Sequence, residues 1–294
     1  ERAFRDCVNL TGSIIIPEGV TRIGPSAFLW CNSLTGSLSL PTTLEYIGGG
    51  GAVDIGGAFD GCHFNCELKL PNSLKYIGHN VFASNPGYYG NLVLPEKLEY
   101  IGDGAFCNDN NLTGNLIIPQ GVKAINQNAF GGTGFNGTLQ LYDGITSINQ
   151  GAFNNVPLKG ELTLPKNLTS VGENAFAGCD FSGELKLPSS LKSIGRKVFG
   201  DTDGDGSCWR LMGIVEFPEG MQSIGEQAFY NCRSIEGLVF PESIETIQNS
   251  AFEGCYGINS IVCKSDMPAN VLNNAFNGVA KDNFTLEVPE SAIS

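Results

Sequence analysis

Residues 159–181 read KGELTLPKNLTSVGENAFAGCDF, and the stretch changes period along its length. Leu162 and Leu164 alternate with polar neighbours, the period of a strand that buries one face. Pro165 ends that strand, because proline cannot donate to a ladder. Leu168 and Val171 then sit three apart, which fits a second short extended or turn segment closing a coil. Gly172 permits a sharp corner. Ala175 and Phe176 follow as a small and a large residue, able to wedge the back of the coil.

The same pattern extends outward in both directions. Its Ala-Phe pair, twice Val-Phe, places phenylalanine at 4, 28, 59, 82, 106, 130, 153, 176, 199, 229, 252 and 276. The spacings are 23 or 24 except for one of 31 and one of 30, which locate insertions at 49–55 and 201–207. A fixed period of this size marks a solenoid. No single coil can bury its own apolar face, but coils stacked in register bury all of them, with strands about 4.8 Å apart. The expected fold is a β-rich solenoid, a horseshoe of about eleven to twelve coils. Its L-x-L strands form a parallel sheet on the concave side, and the bulkier, less regular Ala-Phe segments line the opposite wall. Residues 1–260 form the regular array. Residues 261–294 depart from it and read as a divergent capping coil of the same domain. The first residues, ERAFRDC, match the middle of a repeat, so sequence upstream of Glu1 is expected.

Composition narrows the function. Charged residues make up 16% of the chain and hydrophobic ones 41%, too apolar a balance for disorder. Asp and Glu number 30 against 17 Lys and Arg, a net charge of -13 that repels phosphate backbones and anionic bilayers. Nucleic acid is therefore not an expected partner, and no run of about 20 apolar residues inserts this segment in a membrane.

Catalytic motifs are missing. The two histidines, His63 and His79, form no H-E-x-x-H. There is no G-x-S-x-G, and the glycines at 48–51 make no phosphate loop. No enzyme activity is expected. Six of ten cysteines, Cys7, Cys31, Cys62, Cys179, Cys232 and Cys255, fall three residues after the repeat phenylalanine. One phase in successive coils implies a buried ladder of free thiols acting as small hydrophobes, not disulfides. The insertion DTDGDG at 201–206 matches the start of a calcium loop, so Asp201, Asp203 and Asp205 are candidate ligands for weakly bound calcium. The twelfth position is Met212, which withholds the usual bidentate carboxylate. Asn9, Asn111, Asn136, Asn167 and Asn283 match N-x-[S/T], a pattern the repeat itself favours.

The string L-P-x-x-L-x-x-I-G-x-x-A-F-x-x-C resembles the BspA-like, Treponema-type leucine-rich repeat, and the resemblance runs the length of the chain. It implies a curved solenoid, a bacterial cell-surface or secreted location, and adhesion to macromolecules of a host or neighbouring cell. It implies no catalytic residues.

Specificity is expected on outward positions. Those on the first strand are mostly small and polar. The residue before the second-segment isoleucine is more distinctive, with Tyr46, Tyr76 and Tyr100 in three consecutive coils beside Glu45, Lys75 and Glu99. Later coils place Ala124, Ser147, Ser170 and Ser193 there. Three stacked, exposed tyrosines suit a protein or glycan partner. The chain reads as a binding scaffold or adhesin; the alternative is a structural spacer within a longer surface protein.

Overall fold

The computed structural model describes residues 1–48, 56–200, 208–267, 269–279 and 284–293. It comprises two compact units, residues 1–144 with 152–157, and residues 145–151 with 158–294. Each is a parallel β solenoid whose one-turn step is a single repeat.

In the first unit the second segments of successive coils, Arg22–Ile23, Tyr46–Ile47, Tyr76–Ile77 and Tyr100–Ile101, pair in parallel and strict register. Register puts Ile23, Ile47, Ile77 and Ile101 in one buried row. It therefore puts Arg22 and the three tyrosines in one row on the opposite face, because side chains alternate along a strand. The L-x-L wall of this unit consists of short parallel sets, such as Ile14–Ile15 with Leu38–Ser39 and Leu116–Ile117 with Leu139–Gln140. Glycine accounts for the breaks. Gly114, at φ +88°, separates strand Leu112–Thr113 from strand Leu116–Ile117. In the second unit the same wall is one six-stranded parallel sheet, from Lys159–Thr163 to Thr285–Glu287. Ladder irregularities fall beside its glycines, between Glu161 and Thr163 and between Gly213 and Ile214. Strand Thr285–Glu287 continues this ladder, Ile261 pairing with Leu286, while Leu286 itself remains exposed.

The Ala-Phe wall is more regular than its sequence suggests. In the first unit Phe4, Phe28, Phe59, Phe82, Phe106, Phe130 and Phe153 form one column, with centroids 5.0 to 5.9 Å apart and planes within 16°. In the second, Phe176, Phe199, Phe229, Phe252 and Phe276 stack at 5.3 to 5.6 Å. The backbone here makes its own ladder. The amide of Phe82 donates to Ala105 O, that of Phe106 to Ala129 O, and that of Asn80 to Asp103 O. Alternate residues can all donate to the next coil because the segment passes through left-handed conformations on both sides of phenylalanine. Asn80 (φ 53°) and Ser84 (φ 57°) flank Phe82 in this way, and Asn174 and Gly178 flank Phe176. The recurring Asn or Gly two residues from phenylalanine is thus a conformational requirement.

All ten cysteines are free thiols, and five of the six in phase are buried, Cys7 being the partly exposed one. Their role exceeds that of a small hydrophobe. Cys31, Cys62 and Cys255 donate their S–H to the repeat phenylalanine carbonyl of the preceding coil, at 2.9, 3.1 and 3.0 Å. That carbonyl sits in the Phe column away from water, so a donor is needed there. Where the cysteine is absent, Asn85 makes the same bond through Nδ2, to Phe59 O at 2.9 Å.

Candidate binding surface

The register of the second segments stacks the three tyrosines. Ring centroids of Tyr46 and Tyr76 are 4.4 Å apart, and those of Tyr76 and Tyr100 are 4.6 Å apart, with planes within 9°. The guanidinium of Arg22 covers the free face of Tyr46, 3.8 Å from its centroid. Gly48 makes room for this ring, since a Cβ there would stand 2.7 Å from a Tyr46 ring carbon. The tyrosines are half-buried, not the exposed rings that the sequence suggests. Each ring shelters its neighbours, so a partner meets hydroxyls and ring edges. Burial, and then the neighbouring Tyr46 and Tyr100, push the Tyr76 phenol up to about 12. Burial and Asp103 push Tyr100 up as well. These rings therefore present neutral O–H donors at neutral pH. Beside them Lys75 pairs with Glu45 at 3.1 Å, part of the alternating charge row expected from sequence.

The strand walls carry shallow grooves. One in the first unit, of about 510 Å³, is lined by Leu94, Glu96, Ile117, Gln120, Gln140 and Tyr142. One in the second, of about 560 Å³, includes Glu184, Lys186, Ile214, Glu216, Glu219 and Lys264. Lys264 there bridges Glu216 and Glu219 at 3.2 and 3.6 Å. Asp201, Asp203 and Asp205, and the insertion at 49–55, lie outside the described residues. Among the described residues no three His, Cys, Asp or Glu side chains are grouped to hold a metal.

A second aromatic column escaped the sequence reading. Trp209, Arg233 and Tyr256 stack in the second unit, each directly following a buried cysteine. The signal was the position after Cys208, Cys232 and Cys255, which is legible only once those cysteines are aligned.

The model of the BspA type leucine rich repeat region matches residues 1–132, 50–155, 112–204 and 207–291. The chain belongs to the BspA type leucine-rich repeat family. Two solved structures show the same fold. A leucine-rich repeat protein from Bacteroides ovatus aligns with TM-score 0.61 at 21% identity, over 98% of this chain and 86% of its own. The pneumococcal vaccine antigen PcpA aligns with TM-score 0.52 at 18% identity, over 96% of this chain and 70% of its own. No curated protein sequence matches the chain. The BspA type repeat thus supplies a repeat scaffold, and no helix among the described residues is long and apolar enough to cross a membrane.

Proposed function

We propose that the chain is a non-catalytic binding scaffold, displayed on a bacterial surface or secreted, which holds a protein or glycan partner against the Arg22–Tyr46–Tyr76–Tyr100 column. The observation that carries this is the contrast within one fold. The same register position is Ser147, Ser170, Ser193 and Ser223 in the second unit, paired just as tightly. The solenoid therefore does not require tyrosine there, whereas a partner gains rigid, amphipathic contact area with little side-chain entropy to lose. That the structurally similar PcpA is a vaccine antigen suits surface display. The test is capture of the chain by immobilised matrix proteins and polysaccharides, repeated with Tyr46, Tyr76 and Tyr100 all changed to Ser. The scaffold reading expects capture that the triple variant loses. No capture anywhere would favour a spacer, and undiminished capture would move the site elsewhere.

A further inference from the structure

We propose that Trp209, Arg233 and Tyr256 form a second site, one that takes the carboxylated terminal sugar of a glycan. The argument begins with what holds Arg233. Its guanidinium lies 4.1 Å from the Trp209 ring centroid and 5.6 Å from that of Tyr256. The aromatic residues belong to the coils on either side of it. Each coil is anchored directly beneath the site. Cys208 donates to Tyr230 O at 3.4 Å, Cys232 to Phe199 O at 3.6 Å and Cys255 to Phe229 O at 3.0 Å. The column is therefore placed by buried hydrogen bonds, not by surface contacts alone.

The second observation is what Arg233 lacks. Three other arginines of this acidic chain find carboxylates, while Arg22 lies over the Tyr46 ring instead. Arg210 pairs with Asp180 at 2.9 Å, Arg196 with Glu173 at 2.5 Å and Arg5 with Asp6 at 3.3 Å. Among the described residues Arg233 has no ion pair and no side-chain hydrogen bond. Among the described residues its planar fork of N–H donors is held by two rings and meets no acceptor. That arrangement matches a carboxylate, which accepts two parallel N–H bonds from such a fork. Orientation before binding lowers the entropy lost when the partner arrives.

The rings decide the rest of the ligand. Neither Trp209 nor Tyr256 stacks on another aromatic ring among the described residues, in contrast to the tyrosines of the first unit. Tyr256 is 57% exposed and Trp209 37%. Gly278 lies against Tyr256, where a Cβ would come within 2.9 Å of a ring carbon, so the ring sits flat on the coil. The exposed parts of these two rings lie beside a fixed cation and offer contact to the apolar C–H face of a pyranose carrying a carboxylate. The net charge of -13 opposes a polyanion but scarcely affects a single carboxylate held within a Debye length of about 8 Å of its arginine. The ligand class is therefore a sialic or uronic acid at a glycan end. The inference rests on reading the chain as a binding scaffold, but not on the tyrosine column.

The test is a fluorescence titration of this 294-residue chain carrying Trp30→Phe, which leaves Trp209 as its sole tryptophan. Probes are 3′-sialyllactose, lactose and a tetraglutamate peptide. Sialyllactose should give a saturable Trp209 response, with lactose and tetraglutamate about tenfold or more weaker. Arg233→Gln and Tyr256→Ala should each weaken it about tenfold, and Arg233→Lys should restore part, because a point charge replaces the fork. The triple Tyr→Ser variant should respond as the parent does, which separates this site from the first. Equal response to lactose, an unchanged titration in Arg233→Gln, or no saturation at concentrations on the order of 10 mM would overturn the proposal. Tighter binding of tetraglutamate would overturn it in favour of an acidic peptide. If Arg233→Gln failed to fold, judged by its melting curve, the lactose comparison and Tyr256→Ala would still decide.

Discussion

Replacing Asp109 with Asn is expected to stabilise the protein, increasingly as pH rises. Asp109 lies three residues after Phe106, the phase at which other coils place a cysteine donor. Its Oδ1 accepts the amide of Asn85 at 2.9 Å, while its Oδ2 is buried with no partner among the described residues. The hydroxyl of Tyr88 and Oδ1 of Asn85 are likewise buried and unpartnered. Burial holds the Asp109 carboxyl well above the usual carboxylate range; the Asn85 amide lowers it somewhat and the charge of Asp60 raises it. A carboxyl whose folded value exceeds its unfolded one gives up stability as pH rises from the unfolded value through the folded one. Against an unfolded value near 3.9, the penalty of this upward shift at pH 7 is at most about 4 kcal/mol. Asn has the same shape and carries a permanent donor, as Asn85 does. Urea unfolding of parent and Asp109→Asn at pH 4.5 and pH 8 measures the difference. The variant should already lead by about 1 kcal/mol at pH 4.5, where the unfolded carboxyl is mostly ionised, and by more, up to about 4 kcal/mol, at pH 8. Asp60, pushed by burial to about 6, leaves a shallower slope of the same sign in both proteins. A gap independent of pH, or a variant less stable at pH 8, would refute the upward shift of Asp109.

Further expectations follow from the packing. Phe106→Ala empties the middle of a seven-ring column and should cost about 3–5 kcal/mol in urea unfolding, whereas Phe4→Ala, at the half-exposed end ring, should cost far less; equal losses would deny the column its role. Gly57→Ala would drive a Cβ to 1.9 Å from Asn80 O and should lower stability by at least about 3 kcal/mol, against little change if the coils part freely. Ellman titration should count ten thiols after denaturation, while in the native protein Cys62 and Cys255, whose thiols burial pushes up, should react last.

How much of this was legible in sequence depends on the scale of the interaction. The coil length, both insertions, the L-x-L strand and the second segment follow from hydrophobic period, because inward positions can be read one residue at a time. The regularity of the Ala-Phe wall was hidden, since its ladder uses left-handed Asn80 and Ser84 conformations that no propensity rule assigns to a hydrogen-bonded wall. The cysteine phase was visible, but its purpose was not, because the acceptor, Phe28 O for Cys62, belongs to the preceding coil. Tyr46, Tyr76 and Tyr100 were brought together as expected, yet mutual stacking at 4.4 and 4.6 Å turns their faces inward. Trp209, Arg233 and Tyr256 are 24 and 23 residues apart, and the insertion before Trp209 obscures their common phase.

The claim that the chain is a binding scaffold working through the tyrosine column is tested most directly by hydrogen exchange. Protein bound to whichever immobilised matrix protein or polysaccharide captures it would be compared with free protein. The account predicts added protection at 44–48, 74–78 and 98–102, the segments around Tyr46, Tyr76 and Tyr100. Protection confined to other coils, or none on capture, would contradict it.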